Sequence, residues 1–213
     1  MLIAATAPAS AHVNFFTGNQ QYTNVNIAAD ASAASLMGEI DQTNLFVTFS
    51  TMIGPDGSTP VLMHGQHGVA FIESAYDAVN TPHTGFTSLT MSAPDNYGFN
   101  AGDFKLDTLN LTGTGTVTFT STNQFGQVET TSMPIDLNGQ NGYNFTTSDG
   151  QLVTSLVFSV PTTTPLQDLK QVSVGVELIP EPASMLLLAS SVLSLGLAHR
   201  ARRRRTVSHA PDS

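Results

Sequence analysis

The sequence has no cysteine and no tryptophan, and charged residues make up only 11% of its 213 residues. Without cysteine there is no disulfide bond, no thiol nucleophile and no thiolate metal site. Basic residues are also scarce, at seven in the whole chain. Thr, Ser, Asn and Gly are abundant instead, and this composition favours strands and turns over helices.

The few charges are unevenly distributed along the chain. Residues 12–179, which we call the body, hold 14 of the 16 acidic residues, all except Glu181 and Asp212. They hold only two of the seven basic residues, Lys105 and Lys170, so the net charge of the body is −12. Such a body repels nucleic acid phosphates and anionic membrane surfaces, and we expect no nucleic acid partner.

The N-terminal segment MLIAATAPASAH resembles the end of a secretory signal peptide. Ala9-Ser10-Ala11 is a small-x-small cleavage motif, but a basic start is absent and the apolar stretch before the motif is short. Either the chain is not exported by this route, or translation starts upstream of Met1. We favour the second interpretation, in which residues 1–11 are a signal-peptide remnant and the mature chain begins near His12.

An uncharged apolar run lies near the C-terminus. Residues 183–198 form a helix of about 24 Å if fully helical, slightly short of the hydrocarbon core of a membrane. The run precedes an arginine cluster that keeps its end of a spanning helix in the cytoplasm and stops translocation. The alternative is a buried core helix with a solvated basic tail, but such a helix would alternate polar and apolar faces. The cluster consists of Arg200, Arg202, Arg203, Arg204 and Arg205.

The triplet Pro180, Glu181 and Pro182 stands directly before this run. A triplet, a short apolar helix and an arginine cluster in this order resemble the PEP-CTERM protein-sorting signal of certain Gram-negative bacteria. The resemblance covers about the last 30 residues, here residues 180–205. The tail, residues 206–213, departs from the family, whose members usually stop soon after the arginines.

The resemblance implies a processing route. In this family a membrane-embedded enzyme, an exosortase, recognises the signal and is expected to cleave near the triplet, so the inner membrane is a transient partner. The physical chemistry agrees, because proline on both sides of Glu181 holds the backbone extended and denies it helical hydrogen bonds. An extended segment is the conformation that a protease active site binds.

The body is predicted to be an all-β domain spanning residues 12–179, a β-sandwich or jelly roll followed by the single transmembrane helix. Residues 171–178 alternate strictly, with valines and Leu178 on one face, and residues 116–122 place Val117 and Phe119 on one face. Turn signals such as Asp149-Gly150 separate the segments. Further strand candidates are residues 45–50, 69–72, 86–91, 104–111, 127–135, 143–147 and 152–160.

Residues 69–179 also resemble a jelly-roll module that is often found in front of PEP-CTERM signals. The matching segments are FIESAYD, FTSLTM, GDFKLDTLNL and LQDLKQVSVG. The resemblance is one of fold and says little about chemistry. It implies that Asp168 lies at the start of the last strand and that Phe104, Leu106 and Val157 belong to the core.

Catalytic motifs are weak. His64 and His67 in MHGQHG lack the glutamate and the spacing of a metalloprotease helix, so an exposed loop is favoured over a metal site. His83, beside Pro82, is interpreted as a solvated loop histidine. No G-x-S-x-G motif supports a hydrolase nucleophile, and nothing selects two carboxylates for glycosidic cleavage. We therefore predict that the protein is not an enzyme.

Cofactors are not expected, apart from a structural calcium ion as a weak candidate. Asp95, Asp103 and Asp107 supply the hard oxygen ligands that calcium prefers. No D-x-D-x-D-G loop supports them.

Two hypotheses about function remain. The first is an exported, non-enzymatic surface or matrix protein, processed by exosortase and retained in the envelope or extracellular polymer. The second is a carbohydrate-binding module or polysaccharide-acting enzyme with the same sorting signal, in contact with extracellular polysaccharide. Sugar sites usually stack aromatic rings on the pyranose, and four tyrosines without tryptophan weaken the second hypothesis. A single-span membrane protein without processing is a third possibility. The tyrosines are Tyr22, Tyr76, Tyr97 and Tyr143.

Overall fold

The computed structural model describes residues 13–27, 35–41, 43–51, 62–64, 71–74, 85–108, 112–138 and 141–180. Within these ranges the chain forms β-strands and no helix, so the all-β prediction for the body is confirmed. No helix among these residues is long and apolar enough to cross a membrane. The predictions that lie outside the described residues concern segment 1–11, Tyr76, Glu181, Pro182, the apolar run, the arginine cluster and the tail.

The described strands are antiparallel and hydrogen-bonded into one continuous sheet. In chain order they are β1 (Val13–Thr17), β2 (Thr23–Ile27), β3 (Ser35–Ile40), β4 (Phe46–Thr51), β5 (Leu62–His64), β6 (Phe71–Ser74), β7 (Ser88–Ser92), β8 (Tyr97–Thr108), β9 (Thr112–Thr122), β10 (Val128–Asn138), β11 (Asn141–Thr147), β12 (Leu152–Ser159) and β13 (Leu166–Leu178).

The sheet folds over on itself to form a sandwich. One layer runs β10-β9-β12-β7-β4-β3-β2, and the other runs β1-β11-β8-β13-β6-β5. The layers are joined where Val153 pairs with Phe99 and where β2 pairs with the middle of β13. Both layers contribute side chains to a single apolar core, which is the arrangement expected when two half-apolar sheet faces are buried against each other.

Period-two alternation places the core side chains. In β9, Val117 and Phe119 are buried while the threonines between them are half-exposed, as predicted. In β8, Phe104 and Leu106 are buried, as the jelly-roll resemblance implied. The ring of Phe104 packs edge-to-face on that of Phe158, with 4.8 Å between centroids.

The prediction that Val157 belongs to the core is wrong. Val157 is half-buried, and its neighbours Leu156 and Phe158 are buried instead. The register of β12 on β9 shifts between Val153 and Ser155. One extra residue at such a bulge moves every following side chain to the opposite face, so Val157 points outward.

The last strand begins earlier than its alternation indicated. β13 starts at Leu166, which makes Asp168 its third residue. Gln171 has a φ of 51°, and the pairing with β8 shifts register at this point. The alternation then places two of the predicted valines in the core and one against it, but Leu178 is 59% exposed. The predicted face therefore does not extend to the end of the strand.

The predicted turn at Asp149-Gly150 is confirmed. Both residues have positive φ, 55° and 71°, and the Gln151 N–H donates to the Ser148 carbonyl at 3.1 Å. Positive φ at both central positions is typical of a type I′ turn, in which asparagine, aspartate and glycine are tolerated.

Tyr143 lies buried in an aromatic cluster, and its hydroxyl donates to the Asp136 carbonyl. Its ring stacks on Phe15, with 5.4 Å between centroids. Burial, followed by the charge of Asp136, raises the pKa of Tyr143 to about 12. This contribution to stability is present below pH 10 and is lost as the pH rises through 12, because the tyrosinate is favoured only in the unfolded chain.

We expect alkaline destabilisation to depend on Tyr143. In the wild type, the urea midpoint should fall as the pH rises from 10 towards 12. Tyr143→Phe should be less stable at neutral pH by about 1 kcal/mol, the value of one hydrogen bond, and should show a shallower alkaline decline. An equally steep decline in both proteins would contradict the assignment. Urea denaturation followed by circular dichroism provides the measurement.

Candidate functional site

The three candidate calcium ligands are not brought together. Asp95 lies in the turn before β8, whereas Asp103 and Asp107 lie within β8 itself. The last two residues share a face but are four residues apart, about 13 Å along an extended strand. No group of three or more His, Asp or Glu side chains among the described residues could hold a metal ion. His64 ends strand β5 rather than lying in a loop, and His67 and His83 are outside the described residues.

The carboxylate of Asp103 binds backbone instead. Its Oδ2 accepts the Gln20 N–H at 2.6 Å, from the segment that links β1 to β2. The same segment is held at Tyr22, whose N–H donates to the Ser173 hydroxyl at 3.1 Å. Burial raises the pKa of Asp103, although the Gln20 bond and the charge of Lys105 oppose the shift. Asp103 is therefore a structural anchor for the connection across β8 and β13.

Asp103→Asn is expected to raise the free energy of unfolding at neutral pH, by up to about 1 kcal/mol. Because burial raises its pKa, Asp103 contributes stability below its unfolded pKa and loses this contribution as the pH rises through the folded value. The neutral amide keeps an oxygen acceptor for Gln20 without the buried charge. Asp103→Ala should instead cost about 1–3 kcal/mol, because the Gln20 N–H loses its acceptor. Urea midpoints at neutral pH test both variants, and a less stable Asn variant would contradict the expectation.

The two lysines of the body lie on the same sheet face, among aspartates. Lys105 and Lys170 are directly opposite each other on β8 and β13. Asp107 and Asp168 are opposite each other in a neighbouring row. Like charges placed directly opposite each other destabilise an antiparallel sheet. Both the lysine pair and the aspartate pair are therefore expected to lower the stability of the fold. We call these four residues the charged grid.

Lys170 offsets the repulsion between the carboxylates of Asp107 and Asp168. Its Nζ lies 2.8 Å from Oδ2 of Asp168 and 3.4 Å from Oδ2 of Asp107. The side chain of Asp168 is only 2% exposed, against 17% for Asp107 and 23% for Lys170. An ammonium group thus stands between two carboxylates, where a bound cation would otherwise be placed. Lys105 contacts no carboxylate within the described part of the chain.

The protonation of Lys170 follows from these contacts. Burial alone lowers the pKa of Lys170, but the hydrogen bond and charge of Asp168, together with those of Asp107, raise it overall. The stabilisation is complete below the unfolded pKa of 10.5 and is lost as the pH rises through the folded value. At neutral pH the described geometry is therefore an ammonium ion held by two carboxylates.

The body ends next to the predicted processing triplet. After β13, the Ile179 N–H donates to the Asn96 carbonyl at 2.8 Å, in the turn that precedes β8. Pro180, the next residue, is exposed. Within the described residues, Ile179 is thus the last point at which a backbone hydrogen bond ties the chain to the sandwich.

The outer face of the other layer is covered with hydroxyl groups. The register aligns serine and threonine side chains in rows across β10, β9, β12, β7 and β4, interrupted by Val157 between Thr118 and Thr90 and by Pro134 opposite Thr116. The members of this hydroxyl face carry no charge, and Thr118 and Ser132 hydrogen-bond to each other at 2.9 Å. They are Thr48, Ser50, Ser88, Thr90, Ser92, Thr116, Thr118, Thr120, Thr130, Ser132, Ser155 and Ser159.

Sequence reasoning missed both surfaces. The lysines entered it only as a charge count, and the threonines only as a strand signal. The alternation of TVTFTST did indicate a threonine face on β9. The strands that pair with β9 and carry the rest of the hydroxyl face could not be predicted from the local sequence pattern.

Comparison with known proteins identifies no family for this chain. No protein-family model matches the sequence, and no curated protein is significantly similar to it. A solved structure, the enzymatically active domain of bacteriophage CBA120 tailspike protein 4, is similar over 79% of this chain, with 12% sequence identity and a TM-score of 0.29. The chain spans about a fifth of the length of that protein, since the match covers 20% of it.

Proposed function

We propose that the protein is an exported cell-surface or extracellular-matrix protein, sorted and processed through its C-terminal PEP-CTERM-like signal, with a structural or adhesive role. The observation that carries the proposal is the coincidence of the fold boundary with the triplet. Among residues up to Pro180, the last that the structure describes, Ile179 makes the final backbone hydrogen bond to the sandwich, and Pro180 is exposed. Cleavage near the triplet would release an intact body, because none of the described strands continues into it.

The start of the fold is compatible with the same route. β1 begins at Val13 and pairs with β11 from its first residue, Val13 opposite Thr147. Cleavage after Ala11 would leave β1 complete. An N-terminal signal peptide and a C-terminal sorting signal would thus flank one sandwich of jelly-roll type, with residues 183–198 as the single transmembrane helix before processing.

The surface chemistry supports a structural or adhesive role. The hydroxyl face offers rows of neutral hydrogen-bonding groups, about 4.8 Å apart between strands and about 6.7 Å apart along them. It carries no charge, although the body as a whole is strongly acidic. A neutral face of this kind can hydrogen-bond to uncharged polymer without the repulsion that the rest of the surface would exert.

The same face is the specific observation that favours the alternative, a carbohydrate-binding module. Tyr143 does not add to it, since its ring is buried and its hydroxyl is bonded inside the fold, but Phe46 on β4 is 39% exposed and lies on the same face as Thr48. A glycan array on the purified protein distinguishes the two functions. Selective binding to one glycan class, abolished by bulky substitutions such as Thr118→Lys and Thr120→Lys, would favour the carbohydrate-binding module.

Two variants test the sorting signal in a host that carries an exosortase. Replacing Pro180, Glu181 and Pro182 with alanine should leave membrane anchoring intact but block processing, because the segment can then join the helix. Replacing residues 202–205 with alanine should impair retention, because the residues that stop translocation are gone.

Immunoblots of membrane and extracellular fractions give the readout for both variants. The triplet variant should accumulate as an uncleaved membrane form, and the arginine variant should lose its membrane retention. Replacing Asp212 with alanine, in the tail, is a control that should behave as wild type. Wild-type processing of the triplet variant would contradict the proposal and would indicate an ordinary tail-anchored surface protein.

A further inference from the structure

The charged grid contains the reactants for an amide bond. The amine of Lys170 lies 2.8 Å from one carboxylate and 3.4 Å from another, and the second belongs to the neighbouring strand. A lysine held between two aspartates has both a carbonyl carbon to attack and a second group that can carry the proton. Asp107 lies on β8, and Lys170 and Asp168 lie on β13. These two strands are paired along almost their whole length, so the backbone register holds the amine close to both carboxylates.

The surroundings favour condensation over hydrolysis. The side chains of the three residues are 2%, 17% and 23% exposed, so most of the water that would solvate an ion pair is excluded. Holding the reacting groups in contact also replaces a bimolecular encounter by an intramolecular one, which is worth many orders of magnitude in effective concentration. Taking charges out of water is costly, and conversion of an ion pair into a neutral amide removes that cost.

We propose that Lys170 and Asp107 form an intramolecular amide bond that covalently joins β13 to β8. The Lys170 ammonium first passes a proton to the Asp168 carboxylate, with which it is hydrogen-bonded. The lone pair of Nζ then attacks Cγ of Asp107, forming the N–C bond. A C–O bond of Asp107 breaks, and the oxygen leaves as water after taking up protons from the amine and from Asp168. One water is lost, and no oxidant, reductant or cofactor is needed.

The proton transfer from the Lys170 ammonium to the Asp168 carboxylate is the unfavourable step, because only the neutral amine can attack Asp107. The raised pKa of Lys170 shows that the ion pair is the resting form of the unreacted protein. The pair is largely shielded from the water that would otherwise solvate both charges, so the energy gap between the ion pair and a neutral amine beside a neutral acid is smaller here than on an exposed surface. Asp168 therefore acts as the proton carrier.

Asp107 is assigned as the acceptor because of where it lies. It is the more exposed of the two aspartates, which gives the departing water a route to solvent. It also lies on the neighbouring strand, so the bond would close a loop of 63 residues. In a chain without cysteine, such a bond would perform the stapling that a disulfide performs elsewhere.

Intact mass spectrometry of the purified, denatured full chain tests the proposal. The wild type should be lighter than its sequence by the mass of one water, and peptide mapping should find the Lys170 and Asp107 peptides joined. Lys170→Arg keeps the charge but cannot form the bond, so it should show the full sequence mass. Lys105→Arg, which changes the other lysine on the same face, is the matched control and should still lose one water.

Two further variants identify the acceptor and the proton carrier. Asp107→Asn should lose ammonia instead of water, because the amide nitrogen then leaves. Asp168→Asn should retain the full mass for far longer than the wild type. A full-mass wild type after prolonged incubation would overturn the proposal, as would water loss that persists in Lys170→Arg, which would indicate succinimide formation at an aspartate. Ammonia loss in Asp168→Asn would overturn the choice of acceptor.

Discussion

Phe104→Ala is expected to lower the free energy of unfolding by about 4 kcal/mol, which is a large fraction of the stability of a typical domain. Phe104 is fully buried at the centre of the aromatic cluster. Its ring contacts those of Phe158, Tyr143 and Phe15 at centroid distances of 4.8, 5.8 and 6.4 Å. Truncation removes these contacts and leaves a cavity that the surrounding close-packed core can fill only in part.

Phe125→Ala is the matched control for this substitution. Phe125 lies between β9 and β10 and is 61% exposed, so its loss should change stability by about 0.5 kcal/mol or less. Urea denaturation at neutral pH measures both variants. Equal effects of the two substitutions would contradict the assignment of Phe104 to the core.

Measured against wild-type chains in which the proposed amide has not formed, Lys170→Met is expected to cost about 4 kcal/mol as well, for an electrostatic reason. Removing the ammonium leaves the buried Asp168 beside Asp107 with no charge between them. Breaking a buried ion pair from one side is costly, because the remaining charge is neither solvated nor paired.

Lys105→Met provides the control, and Lys170→Arg adds a second comparison. Lys105 forms no ion pair among the described residues and acts only through its charge on Asp103, so its loss should have a smaller effect than the loss of Lys170. If the proposed amide forms, Lys170→Arg should also lose about 4 kcal/mol, the value of closing a loop of 63 residues in the chain-entropy model. Wild-type stability of Lys170→Met would contradict the account of the grid.

The sequence predicted those parts of the fold in which alternation is strong and local. β7, β9 and β11 were identified from valine, leucine and aromatic residues at every second position. β1, β2 and β3 were missed, because they are short and carry asparagine or glycine, which are depleted in strands. Their strand conformation comes from pairing with partners that are distant in sequence, and propensity does not report on such partners.

The register between paired strands could not be predicted from the local sequence either, because it too depends on partners that are distant in sequence. The bulge in β12 that turned Val157 outward depends on how β9 and β7 align on either side of it. The charged grid likewise depends on the alignment of β8 with β13, which brings together residues 63 positions apart. Asp107 was predicted from the sequence as a calcium ligand and Asp168 as the start of the last strand, but only the register shows that Lys170 stands between them.

The most direct test of the account is the mass of the mature protein recovered from the envelope or medium of a host that carries an exosortase. The account predicts a chain that begins near His12 and ends near Pro180, Glu181 and Pro182, without residues 183–205. The sandwich should survive processing, because β13 ends at Leu178 and no described strand includes the triplet. A recovered chain that still ends at Ser213 would contradict the account.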